Sequence, residues 1–170
     1  METKFAFVSS LTDTLAFEVM IREYWHHMAG LVVGAGGPTF TADELTADTM
    51  ANLDYMAPPQ GRLLLATTDS GELLGCGVIR QIRPDAAEFK RMFVRPKARG
   101  LGLGKLLFEH RLEEARHMGC NTIYADTVKG NTPMLSMYEK FGFSYIPRYP
   151  ENANGPELEP FLVYLKLDLS

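Results

Sequence analysis

Residues Ala86 to Leu107 read AAEFKRMFVRPKARGLGLGKLL, and this stretch constrains the fold more than any other part of the chain. An apolar strand gives way to a short basic turn, then three alternate glycines, then a helix. Gly100, Gly102 and Gly104 let backbone N–H groups come close to a ligand. The helix behind them presents unpaired N–H groups and the positive end of its dipole. Between Lys90 and Lys105 stand six basic residues, Lys90, Arg91, Arg95, Lys97, Arg99 and Lys105, with no acidic one among them. The whole chain carries a formal net charge of −4, so this run reads as a local anion site. The acidic balance also argues against nucleic acid as the main partner.

At 170 residues the chain fits one domain spanning 1–170. With 46% hydrophobic and 22% charged residues it has ordinary globular composition, and no apolar run approaches the roughly 18 residues of a membrane span. The opening METKFAFVSS lacks a basic region followed by a long apolar one, so the expected location is cytoplasmic. Cys76 and Cys120 have no metal-type spacing and read as buried, reduced thiols. No metal is expected. A homodimer is compatible with the sequence, which does not set the oligomeric state.

Taken in order, Lys4 to Val8 reads as a strand. Thr14 to about Met28 reads as an amphipathic helix that the glycines between Gly30 and Pro38 should end. Thr41 and Glu44 form a capping box for a weaker helix reaching roughly Leu53. Leu63 to Thr67 and Leu73 to Ile82 are strands joined by the turn residues Asp69, Ser70 and Gly71, and Ala86 to Val94 completes an antiparallel meander. In this third strand Phe89, Met92 and Val94 look core-facing, yet Lys90 and Arg91 both lie between Phe89 and Met92. One residue is extra, the mark of a β-bulge whose unpaired backbone groups can meet a ligand. The helix after the glycines runs to about Met118, closed by Gly119. Asn121 to Thr127 should lie parallel to Ala86 to Val94, since a helix links the two. Thr132 as cap and Pro133 at the first helical position start a helix that Gly142 stops. Phe143 to Ile146 and Phe161 to Leu167 are the last strands. The loop between them, Pro147 to Pro160, reads as part of a site. The fold class is therefore α/β, with a mixed, mostly antiparallel sheet of about seven strands and about four helices.

Spacing decides which phosphate motif this is. A nucleotide P-loop needs glycine where Arg99 stands and Ser or Thr where Leu106 stands, and a dinucleotide fingerprint starting at Gly102 needs glycine at Leu107. Both fail. Arg99, Gly102 and Gly104 instead fit the Arg/Gln-x-x-Gly-x-Gly/Ala signature, and the chain resembles the GCN5-related N-acetyltransferases (GNAT) over nearly its whole length. The ending GlyPheSerTyrIle, after a helix bearing Tyr138, is similar too.

The resemblance implies a cofactor, acetyl-CoA. Its pyrophosphate would sit on backbone N–H groups of the loop Arg99, Gly100, Leu101, Gly102, Leu103, Gly104 and Lys105, with the helix dipole behind. Its pantetheine arm would pair with Met92, Phe93 and Val94 of the bulged strand, and Asn131 would contact the arm. An N–H near Phe93 or Val94 would stabilise the tetrahedral oxyanion. Tyr138 would be the general acid or a hydrogen-bond donor to the departing sulfur. An ammonium of pKa near 10 must lose a proton before it attacks, and the resemblance makes Glu88 the first general base, with Glu23, Asp126 and Tyr149 as lesser candidates.

Each residue also has a plainer reading: Glu88 as a strand residue paired with Lys90 or Arg91, Tyr138 as core beside Met134 and Phe141. His26 and His27 read as structural or pocket-rim residues and His110 as a core histidine. The expected activity is acetyl transfer to a primary amine of a small molecule or amino acid by direct attack. A protein N-terminus or lysine is the second acceptor class, and a coenzyme-binding module without chemistry is the competing reading.

Overall fold

The computed structural model describes residues 2–169. Its seven strands form one sheet: β1 (Thr3–Val8), β2 (Gly61–Thr68), β3 (Leu73–Arg83), β4 (Ala86–Val94), β5 (Thr122–Val128), β6 (Ser144–Ile146) and β7 (Leu162–Asp168). The order across the sheet is β1-β2-β3-β4-β5-β7-β6, and β4 with β5 is its one parallel pair. Four α-helices flank it: α1 (Thr14–Gly34), α2 (Ala42–Ala51), α3 (Leu103–His117) and α4 (Thr132–Lys140). Among the described residues no helix is long and apolar enough to cross a membrane.

Both faces of the central strands are covered, which is why their sequences are apolar almost throughout. In β2, Leu63 packs with Phe17, Met20 and Ile21 of α1, while its neighbour Leu64 packs with Leu103 and Leu107 of α3. Helix α3 buries Leu103, Leu107, Phe108, Arg111, Leu112 and Ala115, the three- and four-residue spacing of one helical face. Phe108 centres that layer, with Phe89, Tyr138, Phe141 and Phe143 around it at ring distances of 4.8–6.0 Å.

Helix α1 runs past its expected end near Met28 to Gly34. A glycine inside a helix costs only about 1 kcal/mol relative to alanine. Beyond Gly30, Val32 is buried against Tyr149, Leu162 and Tyr164, and that packing offsets the cost. The α4 boundary also moves by one residue. Asn131 holds the N-cap position expected of Thr132, with its side-chain amide turned to Thr127 Oγ1 at 2.9 Å.

Candidate active site

Strand β4 pairs with β5 only from Ala86↔Thr122 to Phe89↔Ala125. Past that point the two strands part. The cause lies on the other edge of β4, where Val78 pairs with Lys90 but Cys76 pairs with Phe93: Gly77 of β3 alone opposes Arg91 and Met92 of β4. This is the expected bulge, centred on Arg91, whose φ of +51 lies in the left-handed region. A bulge bends its strand away from the regular ladder, and the bend opens a fork between β4 and β5.

The Arg95 N–H donates to Leu74 O at 2.8 Å across the β3 edge. Alternation along the strand therefore turns the N–H and C=O of Phe93 to β3 and those of Met92 and Val94 into the fork. Two cavities flank this edge. The larger, about 420 Å³, is lined by all the expected cofactor residues except Leu101, which is 57% exposed. His27, Met28, Ala98, Pro133, Met134 and Met137 complete its wall.

Gly100 and Gly102 adopt φ of +80 and +79, so the loop turns in a conformation that L side chains rarely take. Gly102 caps α3 without a side-chain bond, which leaves the first helical N–H groups free to meet an anion. A Cβ at Gly104 would lie 2.9 Å from Met137 Cε, so a side chain there would push a flexible methionine end on the cavity wall. Arg99 donates from Nε to Val94 O at 3.0 Å, and its guanidinium lies 5.7 Å from the Phe93 ring. Burial, then the charge of Arg99, lowers the pKa of His27, which keeps the ring neutral at neutral pH.

The six basic residues do not form one anion site. Arg95 is paired with Glu23 at 2.9 Å and Lys97 with Glu72. Lys90 and Arg91 line the second cavity, leaving Arg99 and Lys105 at the glycine loop. Sequence proximity grouped them, but the bulge and the turn after it separate them in space.

The second cavity, about 100 Å³, lies on the other side of the β4 edge. Tyr24 and Trp25 of α1, Phe89 to Met92 of β4, Asp126 of β5 and Tyr138 of α4 are among its walls. Met28, Met92, Asn131 and Met134 line both cavities, so the two meet at the bulge. Tyr138 is 3% exposed, and burial is the largest cause of a pKa well above that of a free phenol. Asp126 Oδ2 accepts from Asn152 at 2.6 Å and Asn154 at 3.1 Å, both on the loop before β7. That loop was expected to join a site, and it supplies Asn154 and Leu158 to this one.

Glu88 is fully buried and lines neither cavity. Its Oε1 lies 3.1 Å from Arg80 and 3.4 Å from Lys90 Nζ, while Oε2 accepts the Tyr149 hydroxyl. Lys90 faces the cavity, and burial lowers its pKa while Glu88 acts to raise it. Of the lesser base candidates, Asp126 is on the cavity wall, Tyr149 is bound to Glu88, and Glu23 is taken by Arg95.

Arg111 carried no sequence signal beyond a charge on an apolar helix face. It is fully buried under the bulge, donating to Leu107 O and Val78 O at 3.3 Å, with its guanidinium 4.3 Å from the Phe89 ring. Gly77 makes room for it, since a Cβ there would lie 2.7 Å from Arg111 Nε. Burial lowers its pKa to about 10.

Comparison with known proteins adds to this geometry. A model of the acetyltransferase (GNAT) family matches residues 23–143. An uncharacterized N-acetyltransferase of Schizosaccharomyces pombe is 33% identical over 125 residues, covering 72% of this chain and 74% of that protein. The IAA acetyltransferase of Azospirillum brasilense is 35% identical over 109 residues, 64% of this chain and 69% of that protein. Among solved structures, the PaiA N-acetyltransferase of Thermoplasma acidophilum in complex with coenzyme A shares the fold with a TM-score of 0.73, at 16% identity and 99% coverage of both chains.

Proposed function

The chain belongs to the GNAT family of acetyltransferases, and from that premise we propose that it transfers an acetyl group from acetyl-CoA to a primary amine of a small molecule or amino acid, by direct attack. The observation that carries this reading is the fork. One cavity has the free N–H groups of a glycine loop and an unpaired strand edge, the other has a carboxylate and aromatic walls, and they meet at Met92. A thioester brought along β4 from one side would meet an amine entering from the other, with no covalent enzyme intermediate required.

In this reading the pyrophosphate rests on the loop Arg99–Lys105 and the pantetheine amides pair with the free backbone groups of Met92 and Val94. Those N–H groups are the donors available to the oxyanion. Arg99 must release Val94 O for the arm to bind there. Tyr138 keeps its proton and donates a hydrogen bond to the departing sulfur. Its raised pKa makes full proton transfer to a thiolate of pKa about 8.5 unfavourable.

The acceptor's ammonium docks on Asp126, whose Oδ1 lies outside the bonds that fix Oδ2. Asp126 is the direct proton acceptor in this arrangement. Glu88 reaches the cavity only through Lys90, so its part in deprotonation is to set the charge of that lysine. A cavity of about 100 Å³ suits a compact amine.

The test is coenzyme A release from acetyl-CoA across a panel of small amines, beside thermal shift with acetyl-CoA alone. Amine-dependent release supports transfer. Stabilisation by acetyl-CoA without release from any amine would reduce the chain to a coenzyme-binding module.

A further inference from the structure

The acceptor cavity and the ion cluster behind it hold three cations, Arg80, Lys90 and Arg91, against two carboxylates, Glu88 and Asp126. Arg80 and Lys90 share Glu88, and Asp126 is held by two neutral amides. Arg91 is the surplus charge. Among the described residues it has no carboxylate partner: its polar neighbours are the hydroxyls of Tyr24 and Tyr55, and its buried Nε has no hydrogen bond.

The way Arg91 is held leaves its charge without an ionic partner. Its guanidinium lies 4.5 Å from the Trp25 ring and 6.0 Å from the Tyr24 ring, so aromatic rings cover its face, and the only polar groups set against it are the neutral hydroxyls of Tyr24 and Tyr55. Adjacent strand residues ordinarily point to opposite faces, but the bulge at Arg91 brings Lys90 and Arg91 to the same cavity. The two hydroxyls hold the guanidinium charged, and a ligand anion would be its first ionic partner.

Resting on the acetyl-transfer reading, we propose that the acceptor is a zwitterion, a primary amine with a carboxylate a few bonds away. Its carboxylate docks on the edge of Arg91 while its ammonium docks on Asp126. The ligand's carboxylate pairs with Arg91 one to one while its ammonium pairs with Asp126, so each charge that lacks an ionic partner in the cavity gains one. The planar pair of carboxylate oxygens also matches the fork of guanidinium N–H groups.

The test uses matched trios on one carbon skeleton: alanine, leucine, methionine and phenylalanine, each with its carboxamide and its decarboxylated amine. For the best skeleton the acid should exceed both neutral partners in kcat/KM by about 100-fold or more, because the analogue leaves Arg91 buried and unpaired. Arg91→Gln should bring that ratio below about 10, chiefly through KM, and Arg91→Lys should restore part of it. Amides or amines that match the acids overturn the proposal. Calorimetry of the same ligands with coenzyme A-loaded protein decides the case where nothing turns over. Acids that bind, and lose binding in Arg91→Gln, uphold the carboxylate site while the transfer reading falls. Acids that bind no better than their amides sink the carboxylate site. Should Arg91→Gln fail to fold, the acid-to-amide ratio on the native protein decides alone.

Discussion

Phe89 and Ala125 are the last paired residues of β4 and β5, and the two cavities share the wall residue Met92 just beyond them. The ladder stops there because Arg91 inserts one residue into β4 on its opposite edge. A local defect in one strand pair thus creates an opening in the next. Arg111 supports the defect from below by taking Val78 O, beside the irregular register. Backbone groups that a regular sheet would consume are left for a cofactor.

Gly104 offers a direct test of the cofactor side. In Gly104→Val the new side chain must enter between Met137 Cε and Met92 Cε, at 2.9 and 3.4 Å from the Cβ position. Both neighbours are flexible side-chain ends on the cavity wall, so the fold should survive, with stability changed by only about 1 kcal/mol. Acetyl-CoA affinity should fall roughly tenfold, by about 1.4 kcal/mol, in calorimetry. Unchanged affinity would place the cofactor elsewhere.

Tyr149→Phe isolates the Glu88 cluster. Removing the hydroxyl strips Glu88 Oε2 of its partner at a fully buried site. A buried acceptor left unsatisfied costs about 1 to 3 kcal/mol, more when charged, and urea denaturation should show that loss. Glu88→Gln alone should cost more, because it strips Arg80 and Lys90 of their shared carboxylate, and the double variant should lose less than the sum of the two singles. A double variant as weak as the sum of the two singles would show that the pair does not act as a unit.

The fold was legible because its signals are local and strong. The turn at Asp69 to Gly71, the caps at Thr41 and Gly119, and the extra residue between Phe89 and Met92 each fix a piece of backbone without tertiary help. Glu88 was harder. Its position on β4 can be read from the sequence, but the partners that bury it, Arg80 and Tyr149, lie 8 and 61 residues away and meet it only through the fold. Arg91 was legible as a charge near a bulge. That it stacks on Trp25, 66 residues before it, depends on how α1 crosses the sheet. Arg111 could not be read from the sequence, because a buried guanidinium makes sense only once Gly77 and Val78 O are seen beneath it.

Tyr138→Phe separates a hydrogen-bond donor from a core residue. The ring is already packed by Phe108 at 5.3 Å and Phe143 at 4.9 Å, so losing the hydroxyl should leave stability within about 1 kcal/mol. A bond to a developing thiolate has a worth of roughly 1.5 to 3 kcal/mol, so kcat should fall about 10- to 100-fold with KM for acetyl-CoA little changed. A variant with full kcat would return Tyr138 to a purely structural role.

Alkaline titration tests how tightly the α1 face of the sheet excludes water. Tyr24 and Cys76 both sit in that core, and burial pushes each of their pKa values up to about 12. In the unfolded chain they titrate near 10 and 8.5. The folded state therefore holds its protons longer, and this contribution is fully present below the unfolded values and lost as pH rises through about 12. Each pH unit within a group's window removes roughly 1 kcal/mol, so urea midpoints should fall steadily from about pH 9 upward, by about 2 to 4 kcal/mol at pH 11. Cys76→Ala should start from a lower stability and decline less between pH 9 and 10, where of Tyr24 and Cys76 the thiol alone is within its window, the other buried thiol, Cys120, being common to both proteins. A native protein whose Cys76 reacts with a thiol reagent at pH 8 as fast as a free thiol, or whose midpoint stays level to pH 11, would mean that water reaches this core.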